Sequence, residues 1–168
     1  MKPDNWIIRS HPDLVSDLML IDFGRAKDLE AISDGSTIKA LHGRVAAENL
    51  ECVAMRNESQ WCFDIDCYGV CVCAHTLLFG SYMEIVQVTK DSSTWKIKNT
   101  LRRYWQTPLW RLLFDSFINM EAKSAELPIY AERLRGIILA FEAHLQGRTR
   151  ELELLLTNQN RMLPRRKS

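Results

Sequence analysis

Charge of one sign is what the chain most plainly lacks: 22 Lys and Arg stand against 21 Asp and Glu in 168 residues. No global field therefore draws it to nucleic acid or to an anionic membrane, and neither is expected as a direct partner. A long apolar run is missing too. The longest, Tyr68 to Gly80, is interrupted by His75 and falls short of the roughly 20 residues that a bilayer-spanning helix needs. The opening Met1-Lys2-Pro3-Asp4-Asn5 has neither the apolar core of a secretory signal nor the Arg- and Ser-rich pattern of a transit peptide, so the cytosol or nucleus is the expected location. There is no Cys-x-x-Cys knuckle and no internal repeat. The five cysteines, Cys52, Cys62, Cys67, Cys71 and Cys73, are odd in number, which argues against a disulfide framework. Cys67, Cys71 and Cys73 alternate with Val and Ala in a run that looks like a buried helix, so core thiols are expected there rather than a zinc cluster.

What is present is enough apolar residue, 46%, to build the core of one compact domain. Trp6–Arg9 and Leu18–Ile21 are short apolar runs on either side of a polar stretch, which predicts a hairpin. From Arg25 to Leu50 the periodicity fails, with Asp34-Gly35-Ser36 as a turn signal, so a long loop is expected, carrying the surface hydroxyls Ser33, Ser36 and Thr37. After Asp64 the chain turns strongly apolar as far as Phe79 and stops at Gly80, the pattern of a buried helix with a C-terminal glycine. Lys90–Thr100 is polar and reads as a loop. Leu101–Met120 then brings Tyr104, Trp105, Leu109, Trp110, Leu113, Phe114 and Phe117 at near-helical spacing, most simply as core. A last amphipathic helix is expected from Ile129 to about Leu156, weakened at Gly136 and Gly147, and followed by a basic tail.

The residues that carry chemistry lie at the two ends of the predicted hairpin. Protein kinases hold a catalytic base and a metal ligand in the pattern His-Arg-Asp-Leu-x-x-x-Asn, and a further metal ligand in Asp-Phe-Gly shortly afterwards. This sequence enters that pattern at Met1, in the Leu position, and continues with Lys2-Pro3-Asp4-Asn5; Asp22-Phe23-Gly24 closes the second strand. A hairpin that leaves a site at Asn5 and returns to it at Asp22 brings an amide and a carboxylate to one Mg²⁺ cluster. Lys2 is the candidate for a cation near the transferred phosphate. Downstream, Asp64-Ile65-Asp66-Cys67-Tyr68-Gly69-Val70 resembles the kinase motif in which an Asp opens the large buried helix, and Asp66 is the matching carboxylate.

Three segments make the resemblance specific: Ile21-Asp22-Phe23-Gly24-Arg25-Ala26-Lys27-Asp28-Leu29, then Cys52-Val53 with Met55, then Leu78-Phe79-Gly80-Ser81-Tyr82-Met83. In order and spacing they resemble the BUB-type mitotic checkpoint kinases, and Leu101-Arg102-Arg103 with Trp110, Phe114, Phe117 and Asn119 is similar to that family's next helices. The resemblance implies a mainly α fold, a protein-kinase-like C-terminal lobe with a small β-hairpin at its start and no amino-terminal lobe, over residues 1–157, with 158–168 as a flexible tail. It further implies ATP and Mg²⁺ as cofactors, Asn5 and Asp22 as the residues that hold them, Lys2 as catalytic, and Gly24 and Asp66 as structural supports. In that family Asp66 would accept hydrogen bonds from the catalytic-loop backbone. The implied setting is the spindle checkpoint, with kinetochore and checkpoint proteins as partners, Ser/Thr protein substrates such as histone tails, and a nuclear, kinetochore location.

The sequence departs from the kinase pattern in two ways. The catalytic Asp would stand immediately before Met1, and the Gly-rich loop, the strand lysine and its glutamate partner lie further upstream in kinases, so the 168 residues alone are expected to be inactive. After Cys52-Val53, where kinases carry the Glu of an Ala-Pro-Glu-like motif, stands Ala54. A non-catalytic interaction module is the alternative these departures leave open.

Overall fold

The computed structural model describes residues 2–8, 18–24, 51–57, 59, 61, 63–120 and 127–162. The expected loop at 25–50, its hydroxyls and turn, Cys62 and the end of the basic tail lie outside the described residues. The chain forms two compact units, Met1–Glu126 and Leu127–Ser168.

The first unit begins with a short 3-10 turn, Pro3–Asn5, in which proline at the first position supplies a preset φ. It leads into β1 (Trp6–Ile8), which pairs antiparallel with β2 (Leu18–Leu20) in the register Trp6↔Leu20, Ile7↔Met19 and Ile8↔Leu18. The predicted hairpin is thus observed. A single helical turn, α1 (Val53–Arg56), follows. Then comes α2 (Asp64–Phe79), the core of this unit. Its residues are apolar on nearly every side, as a helix enclosed by its own domain must be, and Tyr68, Cys71, Val72, Ala74 and His75 are buried. Asp64 and Asp66 sit in its first turn, where the helix dipole favours negative charge. Gly80 ends it at φ 71, a left-handed cap in which its N–H donates to the Thr76 carbonyl at 2.8 Å.

The polar stretch Lys90–Thr100 departs from expectation. It closes a second hairpin, β3 (Ile85–Gln87) with β4 (Trp95–Ile97), paired Ile85↔Ile97, Val86↔Lys96 and Gln87↔Trp95. Three-residue strands are too short to show a period, and most of what holds the connection is polar: Val88 N–H donates to the Thr94 carbonyl at 2.9 Å, and Gln87 Nε2 to the Ser92 carbonyl at 3.1 Å. The next helix, α3, is shorter than the aromatic run predicts and spans Thr107–Ile118. It buries Leu113, Phe114, Phe117 and Ile118 on one face and packs on α2. Phe79 meets Trp105 edge-on at 5.0 Å between ring centroids, and His75 meets Phe114 at 6.5 Å.

The second unit holds two helices where one was expected. The first, α4 (Leu127–Gln146), stops at Gly147-Arg148; α5 (Thr149–Met162) restarts at once and carries helix through residues 158–162, assigned above to the tail. Glycine at the junction offers little resistance to a break. No helix among the described residues is long and apolar enough to cross a membrane.

Candidate active site

Two backbone hydrogen bonds set the geometry at the open end of the first hairpin. Asn5 N–H donates to the Lys2 carbonyl at 3.1 Å and tightens the 3-10 turn, while Ile21 N–H donates to the Asn5 carbonyl at 2.8 Å. The second bond extends the β1–β2 register one step beyond Trp6↔Leu20. It fixes the backbone of Asn5 beside the residue that immediately precedes Asp22.

Asp22 itself has φ 63 and lies in the left-handed region. Aspartate enters that region more readily than most side chains, yet the conformation still costs about 1–2 kcal/mol, and such strain gathers at functional positions. Gly24 follows in a turn: a Cβ placed on it would stand 3.4 Å from Asp22 Oδ1, so the carboxylate lies over the glycine backbone. Asp22, Phe23 and Gly24 are all exposed. An amide and a carboxylate are hard oxygen donors, the kind Mg²⁺ takes, and the exposed Asp22 beside a half-buried Asn5 leaves room for water and phosphate oxygens to complete the shell.

The turn that carries Lys2 and Asn5 is seated on α2. Trp6 lies against Cys73, where its indole opposes the upward push that burial gives the thiol pKa. From just past the end of α2, the Tyr82 hydroxyl donates to Asp4 Oδ2 at 3.2 Å, tying the loop after the helix to the turn 78 residues earlier. Partial desolvation and the Asp4 carboxylate both raise the Tyr82 pKa, which keeps the hydroxyl a donor. Behind these contacts His75 is fully buried. One ring nitrogen is 2.9 Å from the Ser81 carbonyl and the other 3.3 Å from Asn99 Oδ1, and the ring stacks on Phe79 at 4.4 Å.

Among the candidate residues, Asn5 and Asp22 come together at one hairpin end, Gly24 lies under Asp22, and Lys2 stands half-buried at the start of the same turn. Asp66 is exposed in the first turn of α2, while Asp64, two residues earlier, is only 3% exposed. Trp6 touches α2 at Cys73, seven residues or about 10 Å along the axis from Asp66. The sequence assigns no part in the site to Tyr82, Cys73, His75 or Asp64 taken singly. Tyr82 falls inside a motif used for the resemblance, but a contact spanning 78 residues leaves no local signal. The first position of a helix that is apolar all round was the available hint for Asp64.

A mainly helical body behind a hairpin that joins an amide to a left-handed Asp of an Asp-Phe-Gly is the C-terminal lobe of a protein kinase. The solved BubR1 kinase domain superposes with a TM-score of 0.73 and 28% identity, over 94% of this chain and 45% of that one. No family model matches. The spindle assembly checkpoint serine/threonine-protein kinase BUB1 of Saccharomyces cerevisiae is 32% identical over 129 residues, 76% of this chain. The mitotic checkpoint serine/threonine-protein kinase BUB1 of Arabidopsis thaliana is 29% identical over 160 residues, 86% of this chain. The matches span 12% and 29% of those two relatives' own lengths. Sequence and fold together make this chain a segment of a BUB-type checkpoint kinase domain.

Proposed function

We propose that this chain is the part of a spindle-checkpoint Ser/Thr protein kinase domain that carries the metal-binding end of the active site, and that it works with an ATP-gripping lobe to phosphorylate protein hydroxyls. The domain is taken to run through residues 1–157. Asn5 and Asp22 would hold Mg²⁺, and with it the ATP phosphates; the bound metal and nucleotide supply the phosphoryl group and neutralise its charge. Lys2 contributes a cation for the negative charge that develops in transfer. Gly24 lies against the Asp22 carboxylate, and the Tyr82–Asp4 bond steadies the turn. Partners in this reading are kinetochore and checkpoint proteins, with a nuclear, kinetochore location.

The observation that carries the reading is the strained Asp22, placed by a 2.8 Å backbone bond beside Asn5. Its test is phosphate transfer to a protein substrate by this chain joined to the lobe that precedes it in the family. Asp22→Asn and Lys2→Met should each lower the rate about 100-fold or more, the scale on which single charge-stabilising groups act. Unchanged rates in both variants would refute the assignment.

Ala54 favours a second reading, a kinase-like lobe that serves as a docking module. It stands where kinases place a glutamate, within the one-turn α1, and cannot form the ion pair that a glutamate would. Nucleotide binding by the joined chain with no transfer to any protein would support this reading over the first.

A further inference from the structure

The exposed face of α3, with the turn that leads into it, forms a surface that the kinase reading does not use. Pro108, Arg111, Leu112 and Asp115 are spaced three, one and three apart, which sets them on the side of the helix opposite the buried Leu113, Phe114, Phe117 and Ile118. All four are exposed. The turn is tied to the helix through one carbonyl: Trp105 N–H donates to the Arg102 carbonyl at 3.0 Å, and Thr107 Oγ1 donates to the same oxygen at 3.2 Å. The Arg102 guanidinium lies 5.0 Å from the centroid of the Trp105 ring, and its Nη1–H donates to the Tyr104 hydroxyl at 2.7 Å. Tyr104 meets Trp105 edge-on yet is itself 71% exposed, and Arg103 beside it is exposed too.

The charges on this surface indicate its occupant. From residue 102 to residue 118 three arginines stand against one acidic residue, Asp115, in a chain whose charges otherwise balance. Among the described residues no carboxylate pairs with Arg102, Arg103 or Arg111. A guanidinium laid on an aromatic face keeps most of its N–H fork for a carboxylate, which it can take with two parallel hydrogen bonds. Stacking and the Tyr104 bond already hold Arg102, so little ordering is left to be lost on binding. Beside the arginines, Pro108 and Leu112 offer apolar contact one helical turn apart, and Arg, Tyr and Trp are the side chains that dominate the energy of protein interfaces. A nucleic acid would call for a longer basic track, one not broken by Asp115 and Leu112.

We propose that this surface docks a short acidic peptide segment of a partner protein, with the peptide's carboxylates on Arg102, Arg103 and Arg111 and an apolar side chain against Pro108 and Leu112. This does not depend on the kinase reading, since none of the candidate active-site residues lies between 102 and 118. Selection of a random library of short phage-displayed peptides on the 168-residue chain, followed by fluorescence anisotropy of the enriched peptides, tests it. Those peptides should carry paired Asp or Glu with a Leu, Ile or Phe, and should bind more weakly as salt rises. Arg102→Glu and Arg111→Glu should each weaken binding about tenfold or more, since each sets like charges together. Lys90→Glu makes the same charge change in the β3–β4 connection, beyond Trp95, which pairs with Asn119 past the far end of α3, and should leave binding unchanged. Helix content by circular dichroism should be equal in all variants, so loss of folding would not mimic the pattern. Selection without an acidic consensus, binding indifferent to both arginine variants, or equal weakening by Lys90→Glu would overturn the proposal; tighter binding of a single-stranded oligonucleotide than of the selected peptides would overturn it equally.

Discussion

His75 shows what a buried polar side chain does when every polar atom is met. Its two ring nitrogens join the Ser81 carbonyl to the Asn99 side chain, and Phe79 and Phe114 enclose the ring. Replacement by Leu keeps the volume but removes both ring contacts, and the net loss of a hydrogen bond costs about 0.5–1.5 kcal/mol each. His75→Leu is therefore expected to lower stability by about that amount in urea unfolding, with the loop that carries Tyr82 loosened first. The cysteines are the converse case, since they have burial but little polar support. Burial pushes the Cys52 thiol up to about 11, with the Asp64 carboxylate adding to it, and burial does the same to Cys67, with Asp64 and Asp66 adding. Both thiols stay protonated in the folded chain while an unfolded thiol ionises near 9.0. Stability from this source is complete below pH 9 and declines as the pH rises from there to about 11, because only the unfolded state releases the proton in that window. A pH series of thermal melts should show the decline, and alkylation at pH 8 should be slow at both positions until the chain is denatured.

Among the elements, the second hairpin depends on one side chain from outside it. Asn119, just after α3, accepts from Trp95 N–H at 2.6 Å and donates to the Trp95 carbonyl at 2.8 Å, pairing with β4 as a neighbouring strand would. Asn119→Ala should destabilise the hairpin by about 1–3 kcal/mol, seen as faster amide exchange at Trp95 and Ile97 than in α2. In α4 the opposite change is available. A Cβ on Gly136 would meet nothing within 4 Å, so Gly136→Ala should raise stability by about 0.5–1 kcal/mol through helix propensity alone. The same contrasts explain what was legible in the sequence. The α2 helix announced itself by sixteen residues of apolar character and a terminal glycine, and β1–β2 by two runs framing a polar stretch. The β3–β4 hairpin did not, because its strands are three residues long and the side chain that pairs with β4 lies 24 residues beyond it. The break between α4 and α5 falls at Gly147, which the pattern marked as weak without saying that the helix would stop there.

At the scale of the molecule, the candidate site was readable because both of its halves are local motifs: Lys-Pro-Asp-Asn before one strand and Asp-Phe-Gly after the next. What brings them together is the hairpin bond beside Asn5, with the left-handed backbone at Asp22, neither of which is written in residue types. At the head of α2 Asp64 is buried, while Asp66, the carboxylate matched to the family motif, lies exposed two positions later. Which of the two is buried depends on helix phase, and an apolar pattern on all sides of a helix conceals phase. Asp64→Asn should accordingly perturb unfolding more than Asp66→Asn does.

The central claim is that Asn5 and Asp22 form the metal-binding end of a kinase site, and calorimetric titration of ATP into this chain joined to its preceding lobe, with and without Mg²⁺, tests it most directly. The account predicts binding that strengthens with Mg²⁺ and, in Asp22→Asn, a loss of that Mg²⁺ dependence with affinity lowered about tenfold or more. Binding that is equally tight without Mg²⁺ and unchanged in Asp22→Asn would contradict it.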